Sequence, residues 1–417
     1  MPAPEALRIS MPRLRARLDE LAEIGAIDGS GGTRGNARLA LTDDDRRGRD
    51  LVVTWMRDLG LRIDIDEIGN VFGTWPADAT APPVLTGSHI DTVATGGRYD
   101  GTLGVLGGLE VLETVIAAGV ALDHPLGVAF FTDEEGSRFP PDMLGSLVFA
   151  GGMPLEEALS TRGIDGAVLG DELLRIGYAG SAPCPGRPPL AYVELHIEQG
   201  PVLEAEGVTI GVVTGVQGLS WTELTVSGQS NHAGTTPMRL RHDAGYVAAE
   251  IATFVRDLAR ELGPPQVATV GRVALHPNLV NVVAGSAVLT VDLRNTDDGV
   301  LAQAEARLAE RCDHLADQEG VQITARSLAE FPSVRFDDHV VALVEEVAHE
   351  HGHSTLRLPS GAGHDAQMLA RVCPTGMVFV PSAGGISHNP AEHTDDADLE
   401  AGANVLLQVL LRLAGAR

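Results

Sequence analysis

The chain has 417 residues, of which 57 are acidic and 30 are basic, so its formal charge near neutral pH is −27. Such an acidic chain repels phosphate groups, which argues against nucleic acid and against an anionic membrane as partners. Hydrophobic residues make up 44% and charged residues 21%, which is typical of a globular protein. The chain is long enough for two or three domains. With three cysteines, no apolar leader and no apolar run of about 18 residues, the sequence favours a cytoplasmic protein without a disulfide framework.

Predicted strands and helices alternate along the first half of the chain. Leu14, Leu18 and Leu21 recur at helical spacing, and Thr42 is a candidate cap for the next helix. Further predicted elements are strands at 61–65, 84–87, 128–131, 191–195 and 377–380, and helices at 103–118 and 399–413. This alternation predicts an α/β fold class, with a mixed sheet flanked by helices.

The element order changes near residue 213. The predicted elements there are strands at 221–226, 267–275, 287–293 and 321–325, with helices at 243–262 and 300–319. Their β-α-β-β-α-β order is typical of a ferredoxin-like α+β domain. We therefore expect a first domain that covers 1–213 and resumes at 329–417, with an inserted domain at 214–328.

Four segments rich in histidine and carboxylate side chains each follow a predicted strand. They are 87–92 with 98–101, 131–136, 194–200 and 385–390. Open α/β sheets place their sites at the carboxyl ends of strands, so the four segments are expected to converge. Imidazole and carboxylate ligands together suit zinc or a similar divalent ion. Asp91 lies two residues from His89, so we expect Asp91 to hydrogen-bond the far nitrogen of that imidazole and orient the ring.

The motifs in these segments resemble those of the amidase, hydantoinase and carbamoylase family of binuclear zinc hydrolases, in the aminoacylase–carboxypeptidase clan. The matching motifs, in the family's order, are GSHIDTVATGGRYDG, TDEEGSRF, ELHIEQG, NHAGTTPM, PSGAGHDA and GISHNPAE. The resemblance implies a zinc-peptidase-like catalytic domain, an inserted domain that serves as lid and dimerisation domain, and a homodimer.

The resemblance also implies two divalent metal ions, zinc or alternatively manganese, cobalt or nickel. The implied metal ligands are His89, Asp100 as the bridging residue, Glu135, His196 and His388. The implied catalytic residues are Glu134 as general base, His232 as an oxyanion donor from the partner subunit, and Asp91. The implied substrate-binding residues are Gln199, Asn281, Arg294 and His364, with Arg294 gripping a carboxylate. A cis peptide bond between Asp100 and Gly101 is a further implication.

The leading hypothesis is hydrolysis of the ureido C–N bond of N-carbamoyl-L-amino acids to amino acid, ammonia and carbon dioxide. Water placed between the two metal ions would be activated there, with Glu134 as the base. Allantoate amidohydrolase and 3-ureidopropionase are alternatives, because all three enzymes take a small ureido carboxylate as substrate.

Other readings of single motifs remain open from the sequence. Cys373 would be the nucleophile of a thiol-dependent carbamoylase, and a non-catalytic binding protein on a hydrolase fold is a further alternative. The segment His349–His353 fits the H-E-x-x-H pattern of zinc proteases, which requires both histidines on one helix. We expect that helix to end at Gly352, before the second histidine.

Overall fold

The computed structural model describes residues 3–417. Its α-helices are α1 (Met11–Ala22), α2 (Asp43–Asp58), α3 (Thr102–Ala118), α4 (Leu144–Phe149), α5 (Leu155–Leu159), α6 (Leu169–Ile176), α7 (Val202–Glu206), α8 (Ala244–Leu262), α9 (Asp298–Glu319), α10 (Asp338–Glu350), α11 (Asp365–Leu369) and α12 (Asp396–Leu413). Its strands are β1 (Ala26–Asp28), β2 (Arg34–Asn36), β3 (Arg62–Ile65), β4 (Val71–Trp75), β5 (Val84–His89), β6 (Leu126–Phe131), β7 (Ala191–Ile197), β8 (Ile210–Val216), β9 (Gly218–Ser227), β10 (Val267–His276), β11 (Ser286–Asn295), β12 (Gln322–Phe331), β13 (Val334–Arg335), β14 (Thr355–Ser360) and β15 (Thr375–Val380). None of these helices is long and apolar enough to cross a lipid bilayer, within the span from residue 3 to 417.

The described chain divides into two compact units. The first contains the residues up to Thr214 together with Arg335–Arg417, and the second is Gly215–Val334. The second unit extends six residues past the end that the sequence predicted, because β12 runs to Phe331 instead of ending near residue 325.

A mixed sheet forms the centre of the first unit. Among the residues described it has nine strands, in the order β13-β8-β15-β7-β5-β6-β4-β3, with β14 paired to β8. The central strands β15, β7, β5 and β6 are parallel, while β8, β4 and β3 pair antiparallel at the flanks. Helices flank this sheet, which confirms the predicted fold class. The parallel strands bring their carboxyl ends to one edge, so the segments that follow them are neighbours.

Helix α3 packs unusually close to this sheet because small residues face the strands. A Cβ atom at Gly104 would lie 2.6 Å from the Leu195 carbonyl oxygen, and one at Gly108 would lie 2.7 Å from Thr86 Cγ2. Nearly the whole helix is buried. This packing fixes the first turn of α3 beside the ends of β5 and β7.

The second unit is an antiparallel sheet covered by two helices. Its strand order within the described residues is β10-β11-β9-β12, and α8 and α9 pack on one face. The core is formed by aliphatic side chains that alternate along the strands and recur on the helices, among them Leu224, Val226, Ile251, Leu289, Val291 and Leu308. The element order and strand order are those of a ferredoxin-like fold.

The protease-like segment is not a metal-binding helix. Helix α10 ends at Glu350, and Gly352 follows with a φ of 78°. His349 lies in the last turn, where its Nε2 is 2.9 Å from Thr355 Oγ1. The expected helix end is confirmed, and His353 lies beyond it.

Candidate metal centre

Two buried histidines stand at the carboxyl ends of neighbouring parallel strands. His89 ends β5, and His196 lies near the end of β7. The Nδ1 atom of His89 is 2.9 Å from the Asp91 carbonyl oxygen, and that of His196 is 2.9 Å from the Ile197 carbonyl oxygen. A neutral ring that donates through Nδ1–H to a carbonyl carries its lone pair on Nε2, so both imidazoles direct Nε2 towards the site.

The expected hydrogen bond between Asp91 and the far nitrogen of His89 is present, and it is made by the main chain of Asp91. The main-chain oxygen of Asp91 makes the hydrogen bond, while the nearest carboxylate oxygen is 3.9 Å from His89 Nδ1. The carboxylate instead accepts the backbone N–H groups of Glu134 and Glu135, each at 3.3 Å. The turn after β5 directs the Asp91 carbonyl towards the His89 ring. The Asp91 carboxylate positions the backbone of the two glutamates.

Asp100 occupies the centre of the site. Its Oδ1 is 3.3 Å from His196 Nε2 and 3.7 Å from His89 Nε2, and its Oδ2 is 3.4 Å from His388 Nε2. Burial alone would raise the pKa of Asp100, but the adjacent imidazoles of His196 and His388 outweigh burial and keep that pKa well below its ordinary value. Asp100 is therefore an ionised carboxylate that touches three imidazoles.

Two consecutive glutamates contribute carboxylates from the loop after β6. Glu135 Oε2 lies 3.3 Å from His388 Nε2, and Glu134 Oε2 lies 3.2 Å from His89 Nε2. Burial raises the pKa of Glu135, although the hydrogen bond from His388 opposes it. Burial, followed by the nearby carboxylates of Asp365 and Glu135, raises the pKa of Glu134 well above its ordinary value. The loop thus carries more negative charge than the protein alone compensates.

These side chains form two groups that share Asp100. One group is His89, Asp100 and His196, and the other is Asp100, Glu135 and His388; within each group the candidate ligand atoms lie within 4.8 Å of one another. Imidazoles and carboxylates are the donors that zinc and related divalent ions take. Cations would also offset the crowded carboxylates of Glu134 and Glu135. The residues therefore fit two divalent metal ions, and the donor set does not single out one metal.

A third group of potential ligands, Glu194, His196 and His364, fits a cation less well. Both oxygens of Glu194 already accept hydrogen bonds, from Ser88 Oγ at 2.6 Å and from the Ala366 backbone N–H at 2.9 Å. A carboxylate with these partners is satisfied without a metal.

The implied cis bond between Asp100 and Gly101 is wrong. The cis peptide bonds in residues 3–417 all precede prolines. Gly101 instead turns the chain through a φ of 65°, and its N–H donates to His196 Nε2 at 3.1 Å. A non-prolyl cis bond costs about 3–4 kcal/mol, and the positive φ of a glycine achieves the turn without it.

Two of the expected substrate-binding residues lie in the first unit. Gln199 Nε2 donates to Asp100 Oδ2 at 2.8 Å, and Gln199 Oε1 is buried with no hydrogen-bond partner among the described residues. His364 precedes α11, with its Nε2 2.8 Å from Ser360 Oγ and its ring centroid 4.5 Å from that of His196. Burial and the proximity of His196 lower the pKa of His364 well below its ordinary value, so this imidazole is neutral.

The other two expected substrate-binding residues, Asn281 and Arg294, lie in the second unit, as does the expected oxyanion donor His232. The exposed His232 accepts the backbone N–H groups of Gly234 and Thr235 at its Nδ1, at 3.1 and 3.2 Å. Its loop pairs with the loop of Asn281, whose carbonyl accepts the Ala233 N–H at 2.9 Å.

Arg294 lies on β11 beside an acidic and an aromatic side chain. Its Nε and Nη2 donate to the Asp292 carboxylate at 3.1 and 2.9 Å, and its guanidinium is 5.8 Å from the centre of the Trp221 ring. The ion pair and the ring fix the plane of the guanidinium.

Sequence reasoning missed two residues that contact the central carboxylate. Ser387 Oγ lies 2.9 Å from Asp100 Oδ2, and Glu392 accepts the Asp100 backbone N–H at 3.2 Å. Both belong to the quoted motif GISHNPAE, so a signal was present. Nothing in the spacing of that motif shows that it folds back onto residue 100.

The thiol alternative is not supported by the surroundings of Cys373. Burial raises the pKa of this thiol to about 11, and its Sγ lies 3.4 Å from the Leu369 carbonyl oxygen as a donor. A reactive cysteine needs a lowered pKa, because the thiolate is the nucleophile. Cys373 is therefore a protonated structural residue.

Comparisons with known proteins identify the family of this chain. The sequence profile of peptidase family M20/M25/M40 matches residues 85–412. The chain is 43% identical to N-carbamoyl-L-amino-acid amidohydrolase of Rhizobium meliloti over 416 residues, or 99% of each chain. It is 41% identical to N-carbamoyl-L-amino acid amidohydrolase of Geobacillus stearothermophilus, over 96% of this chain and 98% of that one.

A solved structure is similar along nearly the whole chain. The crystal structure of an amidase of the hydantoinase/carbamoylase family from Burkholderia multivorans matches with a TM-score of 0.94 and 47% identity, over 98% of this chain and 99% of that chain. The chain is therefore a hydrolase that belongs to peptidase family M20/M25/M40, in its hydantoinase/carbamoylase group.

Proposed function

We propose that this enzyme hydrolyses the ureido group of N-carbamoyl-L-amino acids to the free amino acid, ammonia and carbon dioxide. The observation that carries the proposal is the convergence of three imidazoles on the Asp100 carboxylate, with Glu134 beside them and outside both ligand groups. The names of the relatives that match nearly the whole chain support the choice of substrate.

Two divalent ions would be bound by the groups that share Asp100. When bound, such ions act as Lewis acids, which polarise a carbonyl group and make water more acidic. His89 and His196 would bind one ion, and Glu135 and His388 the other.

Glu134 carries the proton transfers in this proposal. Its carboxylate accepts a proton from the attacking water and later donates that proton to the leaving nitrogen, so the residue ends each cycle unchanged. Its position, 3.2 Å from His89 Nε2 with a buried side chain, places it next to the ligand groups. The Asp91 carboxylate supports this role through the Glu134 backbone N–H.

His232 is proposed as the donor to the oxyanion. Its Nδ1 accepts two backbone N–H groups, so the hydrogen of the neutral ring is on Nε2. An Nε2–H donor suits a carbonyl oxygen that gains negative charge, and one such donor is commonly worth about 3–4 kcal/mol in the transition state.

Two further residues match the two ends of an N-carbamoyl amino acid. Arg294 has a guanidinium whose plane is fixed, which suits bidentate binding of the substrate carboxylate. The Gln199 Oε1 atom is buried without a donor from the described residues, so the carbamoyl NH₂ would satisfy it. His364 and Asn281 complete the proposed contacts.

We also propose that the active form is a homodimer in which the second unit meets its copy. Among the described strands β10 pairs only with β11, so one edge of β10 offers free backbone groups. Val273 and Leu275 on this strand, with Leu279 and Val280 after it, are exposed. A second copy would cover both the edge and these apolar side chains, and His232 would act in the site of the partner subunit.

A turnover panel with metal-reconstituted enzyme tests the substrate. We expect N-carbamoyl-L-amino acids to be hydrolysed with a kcat/KM well above that for allantoate or 3-ureidopropionate, with ammonia release as the readout. Activity should disappear with a chelator and return with zinc, manganese or cobalt, and Cys373→Ser should be unaffected. A clear preference for allantoate or for 3-ureidopropionate would overturn the substrate assignment.

Mixing two inactive variants tests the dimer. His232→Ala and Glu134→Gln each remove one function, and a heterodimer would contain one complete site if His232 acts in the partner subunit. We therefore expect partial recovery of activity when the two variants are unfolded together and refolded. A mixture that remains as inactive as its parents would show that His232 acts within its own subunit.

A further inference from the structure

A buried glutamate connects the two loops that carry Asp100 and His388. Glu392 has 4% of its surface exposed, and its Oε1 accepts the backbone N–H groups of Tyr99 at 2.9 Å and Asp100 at 3.2 Å. Its Oε2 lies 3.2 Å from Ser387 Oγ, next to His388. One carboxylate therefore binds the loop after β5 and the loop after β15 at the same time.

Two neighbours make this arrangement specific. Ser387 Oγ lies 2.9 Å from Asp100 Oδ2, so its hydrogen is shared between the carboxylates of Asp100 and Glu392. Gly97 leaves room for Glu392, because a Cβ atom at that position would lie 2.0 Å from the Glu392 carboxyl carbon. The space for this side chain thus depends on a glycine 295 positions earlier in the chain.

The two ligand groups differ in how firmly the fold positions them. His89 and His196 are buried on strands, and each ring is anchored by a hydrogen bond to a carbonyl oxygen. His388 lies on a loop with a φ of 53°, and half of its side-chain surface is exposed. Its position therefore depends on the contacts of its loop, of which Glu392 makes the most buried ones.

We propose that Glu392 is a positioning residue that completes the ligand group of Asp100, Glu135 and His388, and that without it the protein retains one metal ion of two. The proposal rests on the proposed function, because it assumes that both groups bind metal. It concerns geometry: the side chain fixes the distance between two loops. A carboxamide, whose oxygen also accepts N–H groups, should serve nearly as well as the carboxylate.

The test measures cobalt(II) bound per chain, by equilibrium dialysis and metal analysis, in parallel with the thermal midpoint of the metal-free protein. Wild type should bind two ions. Glu392→Ala should bind one ion tightly and the second about 10- to 100-fold more weakly, the usual effect of losing a residue that orients a ligand. Gly97→Ala should do the same by displacing Glu392, which leaves the glutamate itself unaltered.

Two controls separate positioning from a general loss of stability. Glu392→Gln should retain both ions, and Glu400→Ala, an exposed glutamate on α12, should match wild type in every measurement. Two tight ions in Glu392→Ala would overturn the inference, and so would equal loss of both ions. If wild type itself binds no metal, the proposed function fails and the inference fails with it. If wild type binds two and Glu392→Ala also binds two, the inference alone fails.

Discussion

Gly101 offers a direct test of how closely the backbone approaches the candidate metal ligands. Its φ is 65°, and a Cβ atom built on it would lie 2.4 Å from Nε2 and Cε1 of His89. Non-bonded carbon atoms normally sit about 3.5–4.0 Å apart, so an alanine would overlap the ring by roughly 1 Å. The His89 ring cannot rotate freely away from this Cβ atom, because its Nδ1 is hydrogen-bonded to the Asp91 carbonyl oxygen.

The expected cost of Gly101→Ala has two parts. A side chain at positive φ costs about 1–2 kcal/mol in the left-handed helical well, and this is a lower bound for Gly101, whose φ of 65° and ψ of −48° lie outside that well. Overpacking against a buried ring adds about 1–3 kcal/mol, which makes roughly 2–5 kcal/mol in total. Gly60 is the matched control, because it has a φ of 74° and no atom within 4 Å of its built Cβ. Gly60→Ala should therefore lose only the backbone part of this free energy of unfolding, about 1–2 kcal/mol.

The assay is urea denaturation of both variants after chelator treatment, with metal content measured separately after reconstitution. Gly101→Ala should be less stable than Gly60→Ala and should bind metal poorly, because His89 is displaced. If the two variants agree within about 0.5 kcal/mol and both retain wild-type metal content, the close approach of Gly101 to His89 does not constrain the site.

Three further outcomes are expected. Glu134→Gln should keep both metal ions by metal analysis but lower kcat about 100- to 10,000-fold in a steady-state assay, because the proton acceptor is lost; turnover near the wild-type rate would contradict the role of base. Arg294→Lys should raise KM more than it lowers kcat, because an ammonium group cannot replace a bidentate guanidinium. Unchanged KM values for carboxylate substrates would contradict the proposed role of Arg294. Burial raises the pKa of Asp66 to about 6, so the folded state binds this proton more tightly than the unfolded state and the stabilisation is lost as pH rises through about 6. The unfolding free energy of wild type relative to Asp66→Asn should therefore fall by about 1.4 kcal/mol between about pH 5 and pH 8 in urea denaturation. If the difference between the two proteins does not change with pH, the raised pKa of Asp66 is contradicted.

Periodicity predicted the elements that have one strongly apolar face. The strands and helices of the second unit were found in order, because buried aliphatic residues alternate along β11 and recur with helical spacing on α8. β4 and β8 were missed, since glycine and threonine interrupt their apolar pattern. In β8 the glycine has a packing reason, because a Cβ at Gly211 would lie 2.8 Å from Phe379 Cβ.

The candidate site was predictable in its residue types and less so in its contacts. Motifs identified His89, Asp100 and the other proposed ligands, and the parallel strands explain why four distant segments meet. The sequence did not show which atom of Asp91 faces His89, because two acceptors of one residue compete for the same ring. Nor did it show Glu392 at the Asp100 backbone, since a contact across nearly three hundred residues leaves no periodic trace.

The division of the chain into two compact units bears on how substrate range can change during evolution. All the proposed metal ligands and Glu134 belong to the first unit, whereas Arg294, Asn281 and His232 belong to the second, which has a hydrophobic core of its own. Mutations in Gly215–Val334 can therefore accumulate without disturbing the packing that supports the ligands. Since Arg294, Asn281 and His232 are proposed to contact the substrate, a lineage would in this way acquire a new preference among ureido compounds while it inherits the hydrolytic chemistry intact.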